Sequence, residues 1–108
     1  MELNIKDRIY IPQMLAPQNN FMEYNLKRSI IKKVAITEKD KETFDIKEDK
    51  ENSRIVWNIE KDRENPLTVD FTEEEIKYLT KSCEQLSDNE FPDDFWAVVE
   101  KIYNAANK

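Results

Sequence analysis

The chain has 108 residues, close to the size of one ordinary domain and too short for two separate hydrophobic cores. Its 17 Lys and Arg against 23 Asp and Glu give a formal charge of −6, a balance that disfavours generic binding to phosphate backbones. With no Gly and no His, the composition excludes P-loops, dinucleotide-binding turns, nucleophile elbows, standard EF-hand loops, Ser-His-Asp triads and Cys/His zinc fingers, since each needs a backbone that a Cβ obstructs or an imidazole.

At the start of the chain Leu3, Ile5, Ile9 and Ile11 alternate with Asn4, Lys6, Arg8 and Tyr10, which predicts a strand over 2–11 ended by Pro12 and Pro17. Met22, Leu26, Ile30 and Val34 recur every fourth residue and predict a core-facing helix over 21–34, with Lys27, Arg28, Lys32 and Lys33 complementing the dipole in its second half. Thr37 stands three residues before Asp40, a capping pattern that opens a short helix ending near Phe44. Ile46 and the alternating Ile55, Trp57 and Ile59 flank a polar run and predict a hairpin, in which Asp49 or Asn52 takes any left-handed turn position. Residues 60–65 are predicted to be a polar connection. Leu67, Val69 and Phe71 then predict a further strand.

Thr72 before Glu73, Glu74 and Glu75 is an N-cap followed by acids in the positive first turn, and Ile76, Leu79, Cys83 and Leu86 continue as the apolar stripe of a helix over 73–86. Residues 87–92 break the chain. Asp93 and Asp94 open a last helix over 93–105 with Phe95, Val98, Val99 and Ile102 on its apolar face. The fold class expected is α+β, a single domain over 1–108 in which a small antiparallel sheet of three to four strands is covered by about four helices.

A single Cys permits no intrachain disulfide, and Cys83 on the apolar stripe is expected to be buried and inert. The opening residues lack the apolar core of a signal peptide. The longest apolar run, Phe95 to Val99, falls far short of the ~20 residues of a membrane span. A cytoplasmic protein without membrane association is expected.

Four segments carry a resemblance: Ile11-Pro12-Gln13-Met14-Leu15; Arg28-Ser29-Ile30-Ile31-Lys32-Lys33-Val34 running into Thr37-Glu38; Ile55-Val56-Trp57-Asn58; and Phe71-Thr72-Glu73-Glu74-Glu75. From Ile9 onward their order resembles small accessory proteins of tailed phages and prophages. The resemblance implies action by protein contact, on a host factor such as a defence component or within virion assembly, in the host cytoplasm.

Catalytic readings are weak. Asp45-Ile46-Lys47 and Glu75-Ile76-Lys77 match the acid-x-Lys half of a metal-dependent nuclease site, but the upstream Pro-Asp is missing and the only such pair, Pro92-Asp93, lies downstream of both. Glu73, Glu74, Asp93 and Asp94 would serve as paired carboxylates for glycoside hydrolysis, yet helix capping explains them. No enzyme, cofactor or metal is therefore expected. Charge is the more informative signal: residues 1–36 carry six Lys or Arg against three acids, whereas residues 65–108 carry ten acids against four Lys. The expected interaction face is acidic, formed by Glu84, Asp88, Glu90, Asp93 and Asp94 with Trp96 as aromatic anchor, and docks on a basic protein surface. The alternative is a basic patch, Lys27, Arg28, Lys32 and Lys33, that sequesters a phosphorylated nucleotide.

Overall fold

A computed structural model of the chain describes residues 1–107. Its first departure from expectation is at the start, where only β1 (Glu2–Leu3) is extended and a helix, α1 (Ile5–Met14), replaces the predicted strand over 2–11. The Asn4 side chain accepts from Asp7 N–H at 2.8 Å while Asn4 N–H donates back to the Asp7 carboxylate at 3.0 Å, so reciprocal capping starts the helix. Pro12 sits in its last turn. The inward face of α1 mixes Ile5, Ile11 and Met14 with buried Asp7 and Arg8, which breaks the helical period that hydropathy alone would reveal.

The second helix, α2 (Phe21–Val34), has the predicted bounds and is capped by Asn20 and Glu23 in the same reciprocal way. Ile30 and Val34 are fully buried, but Met22, expected on the core stripe, is 75% exposed beside Phe21 at 76%. The core does not extend under the first turn of this helix. Next comes α3 (Glu38–Thr43), capped by Thr37 and Asp40 as predicted. Arg8 joins these two helices from beneath. Its Nε donates to Val34 O at 3.1 Å, and its Nη2 donates to Ala35 O at 2.6 Å and to Asp40 Oδ2 at 2.7 Å. One buried guanidinium thus satisfies carbonyls at the end of α2 and holds the start of α3.

The predicted hairpin forms from β2 (Lys47–Asp49) and β3 (Arg54–Val56), with Glu48 opposite Ile55. The left-handed positions fall at Asp45 (φ 52°) and Ser53 (φ 50°), flanking the strands, instead of at Asp49 or Asn52. Asp49 accepts from Asn52 N–H and Nδ2 across the turn, closing it through a side chain so that neither residue needs a positive φ. Residues 57–59 do not continue the strand, and the predicted polar connection is a helix, α4 (Ile59–Glu64), whose N-cap Asn58 accepts from Lys61 N–H at 3.1 Å. Ile59 is consequently exposed and shares no buried strand face with Trp57.

Asp62 in α4 is the fastening of this segment to the body. Its buried carboxylate accepts from Ile5 N–H at the first turn of α1 and from the Trp57 indole N–H, each at 3.0 Å. Asp62→Ala leaves both donors unpaired and is expected to cost ~1–3 kcal/mol of stability. In a W96F background, Trp57 emission should move to the red before global unfolding. An unchanged melting temperature and spectrum would show that the hairpin is held by other contacts.

The last strand, β4 (Leu67–Thr68), is shorter than the predicted 67–71 and pairs antiparallel with β1, Leu3 opposite Leu67. Among the described residues the strands form two separate two-stranded antiparallel sheets, β1–β4 and β2–β3, where one sheet of three to four strands was expected, and six helices where about four were expected. The fold is α+β in class but mainly helical. The C-terminal pair, α5 (Glu73–Gln85) and α6 (Asp93–Ala106), matches the prediction closely. Leu79 and Cys83 of α5 and Phe95, Val98, Val99 and Ile102 of α6 meet Ile30 and Val34 of α2 and Ile11 and Met14 of α1 in one buried cluster. Among the described residues no helix is long and apolar enough to cross a membrane.

Candidate functional site

On α6, Trp96, Glu100 and Tyr103 follow one another at i, i+4 and i+7, and so line one side of the helix beside its buried stripe. Together with Glu84 and the buried Cys83 and Val99 they line a shallow hollow of about 340 Å³ between α5 and α6. The Tyr103 hydroxyl donates to Glu84 Oε1 at 3.2 Å, and that bond, with the carboxylate charge, pushes the phenol pKa up. Glu84 and Glu100 are the charged side chains of the lining, and no cation lies among its residues.

At the start of α6 the Phe91 ring lies 4.4 Å from that of Phe95 and meets Trp96 edge-on at 5.5 Å. Asp88, Glu90 and Asp93, all exposed, lie on either side of Phe91 in the chain along the connection and the first turn of α6. Of the residues expected on the acidic face, Glu84 lines the hollow together with Trp96, and Asp88, Glu90 and Asp93 lie on the connection and the first turn of α6. Glu100, Tyr103 and Phe91 were missed in the sequence, and of these the first two were legible in their helical spacing from Trp96.

Asp94 behaves differently from its neighbours. It accepts from Lys6 and, at 2.6 Å, from the Tyr10 hydroxyl, so it ties the start of α6 to α1. The pair stands at the rim of a larger groove, about 720 Å³, between α1 and the hairpin, where Ile9, Ile55, Trp57 and Ile59 supply apolar lining. This groove was invisible in the sequence because its walls come from elements misassigned or far apart in the chain.

Of the four basic residues of α2, Lys27 and Arg28 line one groove with the loop over 17–20, and Lys32 and Lys33 are not in its lining. Lys27 Nζ donates to Ala16 O at 2.9 Å, and Lys33 donates to Asp70 O at 3.1 Å and to Glu75. Arg28 lies over the Tyr24 ring at 5.7 Å, and Lys32 is exposed. Two of the four cations are thus engaged along the flanks of the helix.

The nuclease-like triplets also resolve into structure. Asp45 holds a left-handed turn position. Glu75 is buried as the reciprocal cap of α5, accepting from Thr72 N–H at 2.8 Å and from Lys33. Burial raises the pKa of Glu75, but the hydrogen bonds from Lys33 and Thr72 outweigh it and leave the carboxyl below its ordinary value. Each carboxylate whose pKa is moved, among Glu23, Asp40, Asp49 and Glu75, is moved down, away from the range of a general acid at neutral pH.

Burial, followed by the charge of Glu84, pushes the Cys83 thiol up to about 11. The native protein is expected to resist a thiol reagent at neutral pH and to react stoichiometrically once denatured. Rapid labelling of the folded chain would show that the hollow opens down to its floor.

In comparisons with known proteins, no family model, curated protein or solved structure matches the chain.

Proposed function

We propose that the protein acts by contact with another protein, through the hollow between α5 and α6, and that its partner presents a basic side chain there. The observation that carries this reading is an apolar floor containing Trp96, rimmed by Glu84 and Glu100 with no cation in the lining. An Arg or Lys stem lies well against an indole while its head reaches a carboxylate, a combination of cation–π attraction and a charge-assisted hydrogen bond. The exposed Asp88, Glu90 and Asp93 extend the negative field towards the approach path and favour a basic partner in the encounter. In keeping with the phage-type resemblance, the partner is a host protein with a basic surface of the kind that holds nucleic acid, or a protein of the phage itself. The role proposed is binding and not catalysis: the buried carboxylates are occupied in capping and fastening, and Lys27 and Lys33 of α2 are occupied by acceptors of the chain itself.

An Arg-bearing helical peptide titrated into isotopically labelled protein provides the test. Amide and indole shifts are expected at Trp96, Glu100, Tyr103 and Glu84, weakening as salt rises beyond the point where the Debye length falls under ~8 Å. The E84Q/E100Q double variant should bind at least about tenfold more weakly, equivalent to ~1.4 kcal/mol. Equal binding by that variant, or shifts confined to another face, would overturn the proposal.

A further inference from the structure

The exposed side of α2 carries large side chains that stand outside the buried core. Phe21 and Tyr24 are 76% and 48% exposed at its first turns, and Asn25, Arg28 and Lys32 follow on the side of Phe21, while Met22, 75% exposed, stands about 100° round the helix. Apolar side chains this large and this exposed, adjacent on one helix, mark a contact surface. The only acid of α2, Glu23, is turned aside and accepts from Lys81 of α5 at 2.9 Å. The outward stripe is therefore aromatic in its first half and cationic in its second.

We propose that two copies of the chain associate through α2, the helices running antiparallel across a twofold axis near Tyr24 and Asn25. Self-association through a twofold needs a patch complementary to itself. This stripe is complementary only when reversed. With the axis at Tyr24 and Asn25, Phe21 of one copy comes to Arg28 of the other, and Tyr24 comes to Asn25. A parallel arrangement would set cations against cations. Arg28 already stands over the Tyr24 ring of its own chain at 5.7 Å, and its exposed side chain is within reach of Phe21 of the second copy in this register. Each copy contributes both rings and cations, so the exchange is made twice. A contact one helix wide belongs with the small, transient interfaces, so the dimer is a weak one that fills as concentration rises.

Sedimentation equilibrium from about 10 μM to about 1 mM should show the apparent mass rising from 13.0 kDa towards twice that value. Arg28→Glu and Phe21→Ser, both at exposed positions, should each shift the association at least about tenfold towards monomer without changing the circular dichroism spectrum. Orientation is read by cross-linking. Under mild oxidation, Asn25→Cys, next to the axis, should form a disulfide-linked dimer, whereas Lys32→Cys, placed ~10 Å along the helix from the axis in each copy, should not. A monomer throughout the range overturns the proposal, as do cross-linking of Lys32→Cys as readily as Asn25→Cys and an association indifferent to Arg28→Glu. Shifts at Arg28 and Lys32 on addition of tripolyphosphate to a persistently monomeric protein would instead make the patch an anion site and likewise overturn it.

Discussion

Removing residues 92–108 is expected to leave a chain with no cooperative unfolding transition. The last helix contributes Phe95, Val98, Val99 and Ile102, all buried in the common cluster with Leu79, Ile30 and Ile11. Each such side chain gains ~1.5–3 kcal/mol from burial, and the total stability of a small domain is only ~5–15 kcal/mol. Loss of the helix also exposes the facing stripe of α5 and frees Asp7, a buried carboxylate bound by Lys101 of α6. Scanning calorimetry and amide dispersion report the result directly. A truncated chain with a sharp transition and dispersed amides would make α6 an appendage and remove one wall of the proposed binding hollow.

Replacement of Arg8 is expected to be the most damaging single change. Its side chain is almost wholly buried, and Arg8→Ala removes a donor from Val34 O, Ala35 O and the Asp40 carboxylate in one step. The Asp40 side chain is 24% exposed and keeps its bonds from Thr37, so water and the cap share its charge, and the loss is set mainly by the charged hydrogen bonds of Arg8, worth ~1.5–3 kcal/mol each before solvation is regained. The same site has a pH signature. Burial pushes the Asp40 carboxyl up, but the hydrogen bonds from Arg8 and from Thr37 outweigh it, so the folded-state pKa lies below the ordinary 3.8. Glu75 is likewise held below the ordinary 4.5. A carboxyl lowered on folding stabilises above its unfolded pKa, and this stabilisation disappears as pH falls through the folded value. Wild-type stability should therefore be level near neutrality and decline below about pH 4.5, and Arg8→Ala should flatten the part of the decline that belongs to Asp40. Denaturant midpoints measured across pH 2–7 check both statements. An Arg8→Ala protein of wild-type stability would show that α2 and α3 are joined by packing alone.

Where local capping and one-sided hydropathy agree, the sequence and the structure coincide. Asn20 with Glu23, Thr37 with Asp40 and Thr72 with Glu75 open α2, α3 and α5 at the expected residues, because a reciprocal cap is complete within four residues and needs nothing from the rest of the chain. The same pattern, Asn4 with Asp7, stood at the start of α1 and was overridden by an apparent alternation. Charged side chains on the buried face of that helix concealed its period. Asp7 is tolerated inside because Lys101 reaches it from α6, and Arg8 because the end of α2 supplies carbonyls, and both partners are remote in sequence.

The candidate site divides along the same line. Glu84, Trp96 and the acidic connection were legible as charge and aromatic content, and Glu100 and Tyr103 as helical spacing from Trp96. Only packing decided that α5 and α6 meet with these residues around one hollow, that Asp94 is withdrawn from the acidic face by Lys6 and Tyr10, and that Lys27 and Lys33 of α2 are drawn to separate acceptors. By itself the sequence determined, to within a residue or two, the helices expected over 21–34, from Thr37 to near Phe44, over 73–86 and over 93–105, together with the hairpin, the acidic C-terminal half and the classes of chemistry closed to a chain without Gly or His. Tertiary structure decided the helical state of residues 5–14, the division of the strands into two pairs, the exposure of Phe21 and Met22, and the use of each buried charge. The physical reason is range: caps and amphipathic periods are settled within a few residues, whereas the cost of burying a charge or exposing an apolar side chain depends on partners that only the folded chain brings near.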